Sequence, residues 1–168
     1  MKFLGISPGV RPAGVHPLGT TVSYLTGPHP SQWKSGIPTF GGVLERGVYP
    51  GVDLVFHSGA GALVFDFQLG PGADPSKIVL AFDRPGSGTV PPLSLDGEGN
   101  LLVGTPAGAL RLLRPTVYQS LKGSQRIVPA SYRLGQDGRV RLALGPYDRR
   151  RPLVVDPALV FGTYLGGS

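Results

Sequence analysis

Residues 62–69 read "ALVFDFQL". One alternating set is Leu63, Phe65, Phe67 and Leu69; the other is Ala62, Val64, Asp66 and Gln68. A side-chain period of two describes a strand with one face on a core and the other toward water. A helix would instead group residues three and four apart, and no such stripe passes through this stretch. The same alternation returns in "KIVLAFD" (77–83), with Ile78, Leu80 and Phe82 on the apolar face. It returns again in "GRVRLALG" (138–145), with Val140, Leu142 and Leu144.

The segments between these runs read as turns. "HSGAGA" joins strands at 53–57 and 62–69, "LDGEGNL" joins 93–95 to 100–104, and "LGQDGRV" joins 130–134 to 138–144. Each places Gly, Asp or Asn where a hairpin requires positive φ. "TPAGAL" turns into a strand at 108–113, and "VYPGVD" and "LGPGADPSK" put Pro-Gly where a strand must stop. In "ADPSK", Asp74 is placed to cap a single helical turn. The first 35 residues are the least regular. "MKFLGI" reads as an edge strand, "TVSYLTG" (21–27) as a second, and "PHPSQWKSG" as a loop anchored by Trp33. With 27 glycines and 18 prolines spread along the chain, little or no helix is expected. The expectation is an all-β fold, an antiparallel β-sandwich of about ten or more short strands. Residues 1–157 form one domain in this reading, and a chain of 168 residues can bury roughly 68–70% of its unfolded surface.

Several classes are disfavoured by composition. No stretch approaches the roughly 18 apolar residues of a membrane-spanning helix, so no membrane insertion is expected. "MKFLGISPGVRPAG" lacks the apolar core of a signal peptide, so a cytoplasmic chain, a mature form and a fragment of a larger exported protein all fit. With no cysteine, disulfides and thiolate metal sites are out. Charge is lopsided: residues 111–151 carry ten Lys/Arg against Asp137 and Asp148, while residues 1–110 carry six against seven acids. Such a bias suits either a polyanion-binding surface or a solvated sheet face in which Arg139 and Arg141 alternate with apolar residues. Nucleic acid is disfavoured because these arginines are not interleaved with aromatics. Arg outnumbers Lys twelve to four and turns are proline-rich, which is compatible with a heat-tolerant host.

Candidate site residues are few. His16, His29 and His57 are far apart in sequence and do not show metal-ligand spacing. Neither a phosphate-binding loop nor a hydrolase or zincin motif is present. If Gly59-Ala60 is the hairpin tip, Asp53 faces Asp66, with Phe56 opposite Leu63 and Leu54 opposite Phe65. Two carboxylates so placed, with His57 on the same face, would need a cation or shared proton and suggest a metal site or an acid/base pair. The plainer alternative has Asp53 capping the Pro50-Gly51 turn and Asp66 paired with an arginine. Trp33, Tyr24 and Tyr49 are candidate stacking residues for a sugar ring. Arg149, Arg150 and Arg151 are candidate contacts to anionic sugar or lipid, or else fix a turn with Asp148. No cofactor is implied.

Longer strings carry a resemblance. "PSQWKSGIPTFGGVLERGVYPGVDLVF", "LVFDFQLGPGADPSKIVLAF", "LSLDGEGNLLV", "LRLLRPTVYQ" and "DRRRPLVVDPALVFGTYLGGS" together resemble the β-rich domain that precedes SBBP-type β-propeller repeats in bacterial secreted or cell-surface proteins. The likeness covers nearly the whole chain, with Ser23-Tyr24-Leu25 standing where the pattern tends to have Asn-Tyr-Phe. It implies a non-catalytic structural or adhesive module, extracellular or at the cell surface, that anchors or orients downstream propeller repeats. It implies no catalytic residues. Residues 158–168 then read as the start of a repeat or as a linker, and Phe161, Tyr164 and Leu165 as apolar residues seeking another surface. Partners in this reading are the following repeats, with surface polysaccharide or a second copy also suited. The alternatives are a carbohydrate-binding module, or a glycoside hydrolase-like enzyme using Asp53 and Asp66.

Overall fold

The stretch 62–69 is a strand in the interior of the largest sheet. In the computed structural model, residues 1–59, 62–83, 89–106, 108–121, 123–157 and 159–160 are described. The strands begin with β1 (Lys2–Phe3), β2 (Pro12–Tyr24), β3 (Lys34–Tyr49), β4 (Val52–Gly59) and β5 (Ala62–Leu69). Next come β6 (Val79–Ala81), β7 (Leu93–Leu95), β8 (Leu101–Thr105), β9 (Gly108–Leu112) and β10 (Thr116–Leu121). The last are β11 (Ser124–Val128), β12 (Ala130–Leu134), β13 (Arg139–Leu144), β14 (Leu153–Asp156) and β15 (Leu159–Val160). Helical geometry among the described residues is limited to 3₁₀ turns at Pro30–Gln32 and Pro75–Lys77. Asp74 caps the second, its carboxylate accepting the Ser76 N–H at 3.0 Å.

Three antiparallel sheets make the sandwich. The first runs β11-β10-β14-β5-β4-β3-β2, the second β1-β6-β13-β12 and the third β15-β9-β8-β7. The inner face of β5 is the expected one. Phe65 and Phe67 meet edge to face at 6.0 Å, and Phe3 of the second sheet sits across them at 5.4 and 5.3 Å. Leu54, Leu69, Leu80, Tyr132, Val140 and Val155 complete the centre of this core. Aromatic pairs at such angles add to the area they bury.

Three strands leave one sheet and enter another. β9 passes into β10, β11 into β12, and β14 into β15, and Pro115, Pro129 and Pro157 occupy these joints. Proline has no N–H for a ladder, so pairing stops there and the chain is free to turn a corner. The Leu113 carbonyl in the first joint accepts the Tyr132 hydroxyl at 2.9 Å. The Pro129 carbonyl accepts the Gly145 N–H at 2.7 Å. Phe161, Tyr164 and Leu165 lie outside the described residues.

The longest elements, β2 and β3, were only partly expected from sequence. They form an arm in which thirteen residues pair with sixteen, and β2 is an outer edge. Between Pro12 and Leu44 the only formal charge is Lys34. Most side chains of the arm face solvent, so it lacks the alternation that marks a half-buried strand. His16 holds a φ of 57°, and the ladder shifts between Pro17 and Thr21. These are marks of a bulged, twisted edge. Phe40 lies over Gly14, filling the space a Cβ there would need. The hairpin of β10 and β11 also carried no clear sequence signal.

Candidate functional site

The expected pairing of Asp53 with Asp66 is not formed. The β4–β5 ladder sets Asp53 opposite Gln68 and Val55 opposite Asp66, and Gly59 meets Ala62. The hairpin therefore centres one residue later than the reading from Gly59-Ala60. Phe56 faces Phe65 and Leu54 faces Phe67, so every face is kept but every partner moves by two. Asp53 instead closes the β3–β4 connection. Its Oδ1 accepts the Gly47 N–H at 2.7 Å, and Arg46 approaches its other oxygen at 3.8 Å. Among the described residues no group of three or more His, Asp or Glu is arranged to hold a metal ion.

Asp66 has different company. His57 Nε2 lies 2.9 Å from its Oδ2, the two side chains sharing the outer face of β4 and β5. On its other side is β14, where Leu153 pairs with Leu69, Val154 with Gln68 and Val155 with Phe67. The next step of that ladder sets Asp156 beside Asp66. Asp66 Oδ1 and Asp156 Oδ1 are both buried and without a hydrogen-bond donor. Two acceptors facing one another bond only if one carries a proton. Burial, then the charge of Asp66, pushes the Asp156 carboxyl above its ordinary value, while His57 pulls the other way. Burial and the same two carboxylates raise the Tyr118 phenol. His57, Asp66 and Asp156 thus form a row across β4, β5 and β14.

The three aromatic candidates separate. Tyr49 is 2% exposed, and its hydroxyl donates to the Leu4 carbonyl at 2.9 Å, so it is a core residue and cannot stack on a ligand. Tyr24 and Trp33 are 58% and 43% exposed and lie where β2 gives way to the loop leading to β3. Tyr24 pairs across the ladder with Lys34, the residue after Trp33. The Trp33 indole N–H donates to the Gly27 carbonyl at 3.3 Å, which tethers the ring to its own loop. Leu18, Val22, Leu25, Phe40 and Val43 are exposed on the same arm.

Arg149, Arg150 and Arg151 sit on a tightly held turn. Asp148 accepts the Arg150 N–H at 3.0 Å and the Arg151 Nε–H at 3.1 Å. The Arg149 carbonyl accepts the Gly72 N–H at 2.8 Å. Beneath the turn, Gln119 is 1% exposed and reads the loop backbone in both directions. Its Nε2 donates to the Asp148 carbonyl at 2.8 Å, and its Oε1 accepts the Asp148 N–H at 3.0 Å. The turn-fixing role expected of Asp148 is therefore realised.

A family model matches residues 1–158. The chain belongs to the DUF7948 family. That family is described as a domain of unknown function. Comparison of this DUF7948 chain with curated proteins and with solved structures returns no match. Sequence reasoning missed two parts of the DUF7948 surface. One is the exposed arm, whose signal was the near absence of charge from 12 to 44. The other is Asp156, which read as the last residue before a break at Pro157.

Proposed function

We propose that this DUF7948 domain is a non-catalytic structural or adhesive module of a secreted or cell-surface protein. In this reading it carries, and is partly covered by, SBBP-type propeller repeats that follow it. The observation that supports it is the β2–β3 arm. Seven large apolar side chains, Leu18, Val22, Tyr24, Leu25, Trp33, Phe40 and Val43, stand exposed on it or in its connecting loop. Exposed apolar side chains gathered on one hairpin mark a contact with another protein layer. Pro12 and Pro17 together with the bulges blunt the edge of β2 against ladder pairing, so a partner meets side chains instead of backbone.

The test compares the domain alone with a chain extended into the next stretch of its parent reading frame. Slowed hydrogen exchange along β2 and β3, with a blue shift of Trp33, the single tryptophan, supports the reading. Equal exchange in both chains sinks it.

Exposure of Tyr24 and Trp33 at one end of the arm favours a second reading, a carbohydrate-binding module. Binding of a neutral glycan on an array, lost in Trp33→Ala, would select it.

A further inference from the structure

The second sheet turns a different face to solvent. Phe3, Leu80, Val140, Leu142 and Tyr132 point inward, which leaves Lys2, Arg139, Arg141 and Arg133 outward with the short side chains of Val79, Ala81, Ala143 and Ser131. The register sets Arg133 directly opposite Arg141. Cβ atoms so paired lie about 4.5–5.5 Å apart, and like charges there repel. Compensation is partial. Asp83 holds Lys2 at 2.6 Å, and Asp137 is shared by Arg139 and Arg141 at 3.5 and 3.6 Å. Among the described residues no carboxylate lies within ion-pair distance of Arg133. Ser131 and Ala143, the next pair on this face, open into a groove of about 340 Å³ walled by Arg114, Pro129 and Gly145.

We propose that this face, with Arg133 and Arg141 at its centre and Arg114 at the groove, is a binding site for a linear polysaccharide bearing carboxylate or sulfate groups. Anions laid between the two guanidiniums relieve their repulsion and accept the forked N–H groups that Asp137 leaves open. The smaller side chains of Ala81, Ala143, Val79 and Ser131 between the arginines leave an extended chain room to cross the strands. Among the described residues the outward side chains of these strands include no aromatic ring on which a base could stack. The site lies on a different sheet from the arm and goes beyond the structural role.

Size-defined heparin fragments are the probe, with dextran, poly-glutamate and phosphatidylglycerol vesicles as comparators. The expected result is salt-sensitive heparin binding that weakens about ten-fold in Arg133→Ser/Arg141→Ser. Arg149→Ala/Arg151→Ala is expected to stay within about two-fold of the parent, because those residues lie on a separate turn. Thermal unfolding of the free Arg133→Ser/Arg141→Ser variant should stay close to the parent's, since removal of the repulsive pair offsets loss of the exposed Arg141–Asp137 pair. The proposal is overturned by absent heparin binding at low salt or by heparin affinity that ignores the Arg133/Arg141 change. Equal affinity for dextran, for poly-glutamate or for the vesicles also overturns it.

Discussion

Asp156 stands beside Asp66 across the β5–β14 ladder, and neither inner carboxylate oxygen has a donor. A proton on Asp156 turns this repulsive contact into a hydrogen bond. Folding therefore favours the protonated form and raises the pKa of Asp156 above that of the unfolded chain. Stability from this group is fully present below the ordinary aspartate range. It is lost as pH rises through the raised value. Asp156→Asn supplies a permanent donor. It should raise the melting temperature at neutral pH and flatten the fall that begins as pH rises above the ordinary aspartate range. Calorimetry across that rise checks both, and an unchanged pH profile would remove the shared proton from the account.

Gln119→Leu tests the support beneath the arginine turn. It keeps the volume roughly but strands the Asp148 N–H and carbonyl. A loss of about 1 kcal/mol is expected in urea unfolding, because two hydrogen bonds to the half-buried loop backbone are given up. Faster exchange of the Arg150 and Arg151 amides should accompany it.

Phe67→Ala opens the centre of the core, where the ring meets both Phe3 and Phe65. The expected cost is about 3–5 kcal/mol by denaturant titration. Because β1 is held to β6 by two residue pairs, its amides should lose protection first.

Gly14→Ala places a methyl group into the Phe40 ring. The ring must swing out, at a cost of about 1–3 kcal/mol confined to the arm. Exchange should quicken along β2 and the first half of β3 while the core strands keep their protection. Global destabilisation instead would mean that the arm is integral to the sandwich.

What could be read in the sequence followed from burial. β4, β5, β7, β8, β9, β12 and β13 have at least one face against apolar neighbours or a glycine-marked turn at an end. Alternation or turn chemistry therefore located them within a residue or two. The arm has water on both sides, and nothing imposes a period on it. Register was harder than strand identity. Moving the tip of "HSGAGA" by one residue keeps each side chain on its face, so hydrophobic pattern cannot distinguish Asp53–Asp66 from Val55–Asp66. The true partner of Asp66 comes from β14, about ninety residues later in the chain. No local pattern encodes such a meeting. Arg133 and Arg141 were visible as charges, but their opposition depends on the turn at Gly138.

The corner prolines bear on how the domain transmits tension. β14 is clamped between β5 and β10, so a pull on its far end must shear two ladders together instead of unzipping one. β1 lies at the rim of its sheet and can peel from β6 pair by pair. With three strands stitched across sheets at Pro115, Pro129 and Pro157, the layers cannot slide apart as separate plates. Under load the domain should give way from its N-terminal strand inward, with the strand leading to β15 among the last to yield.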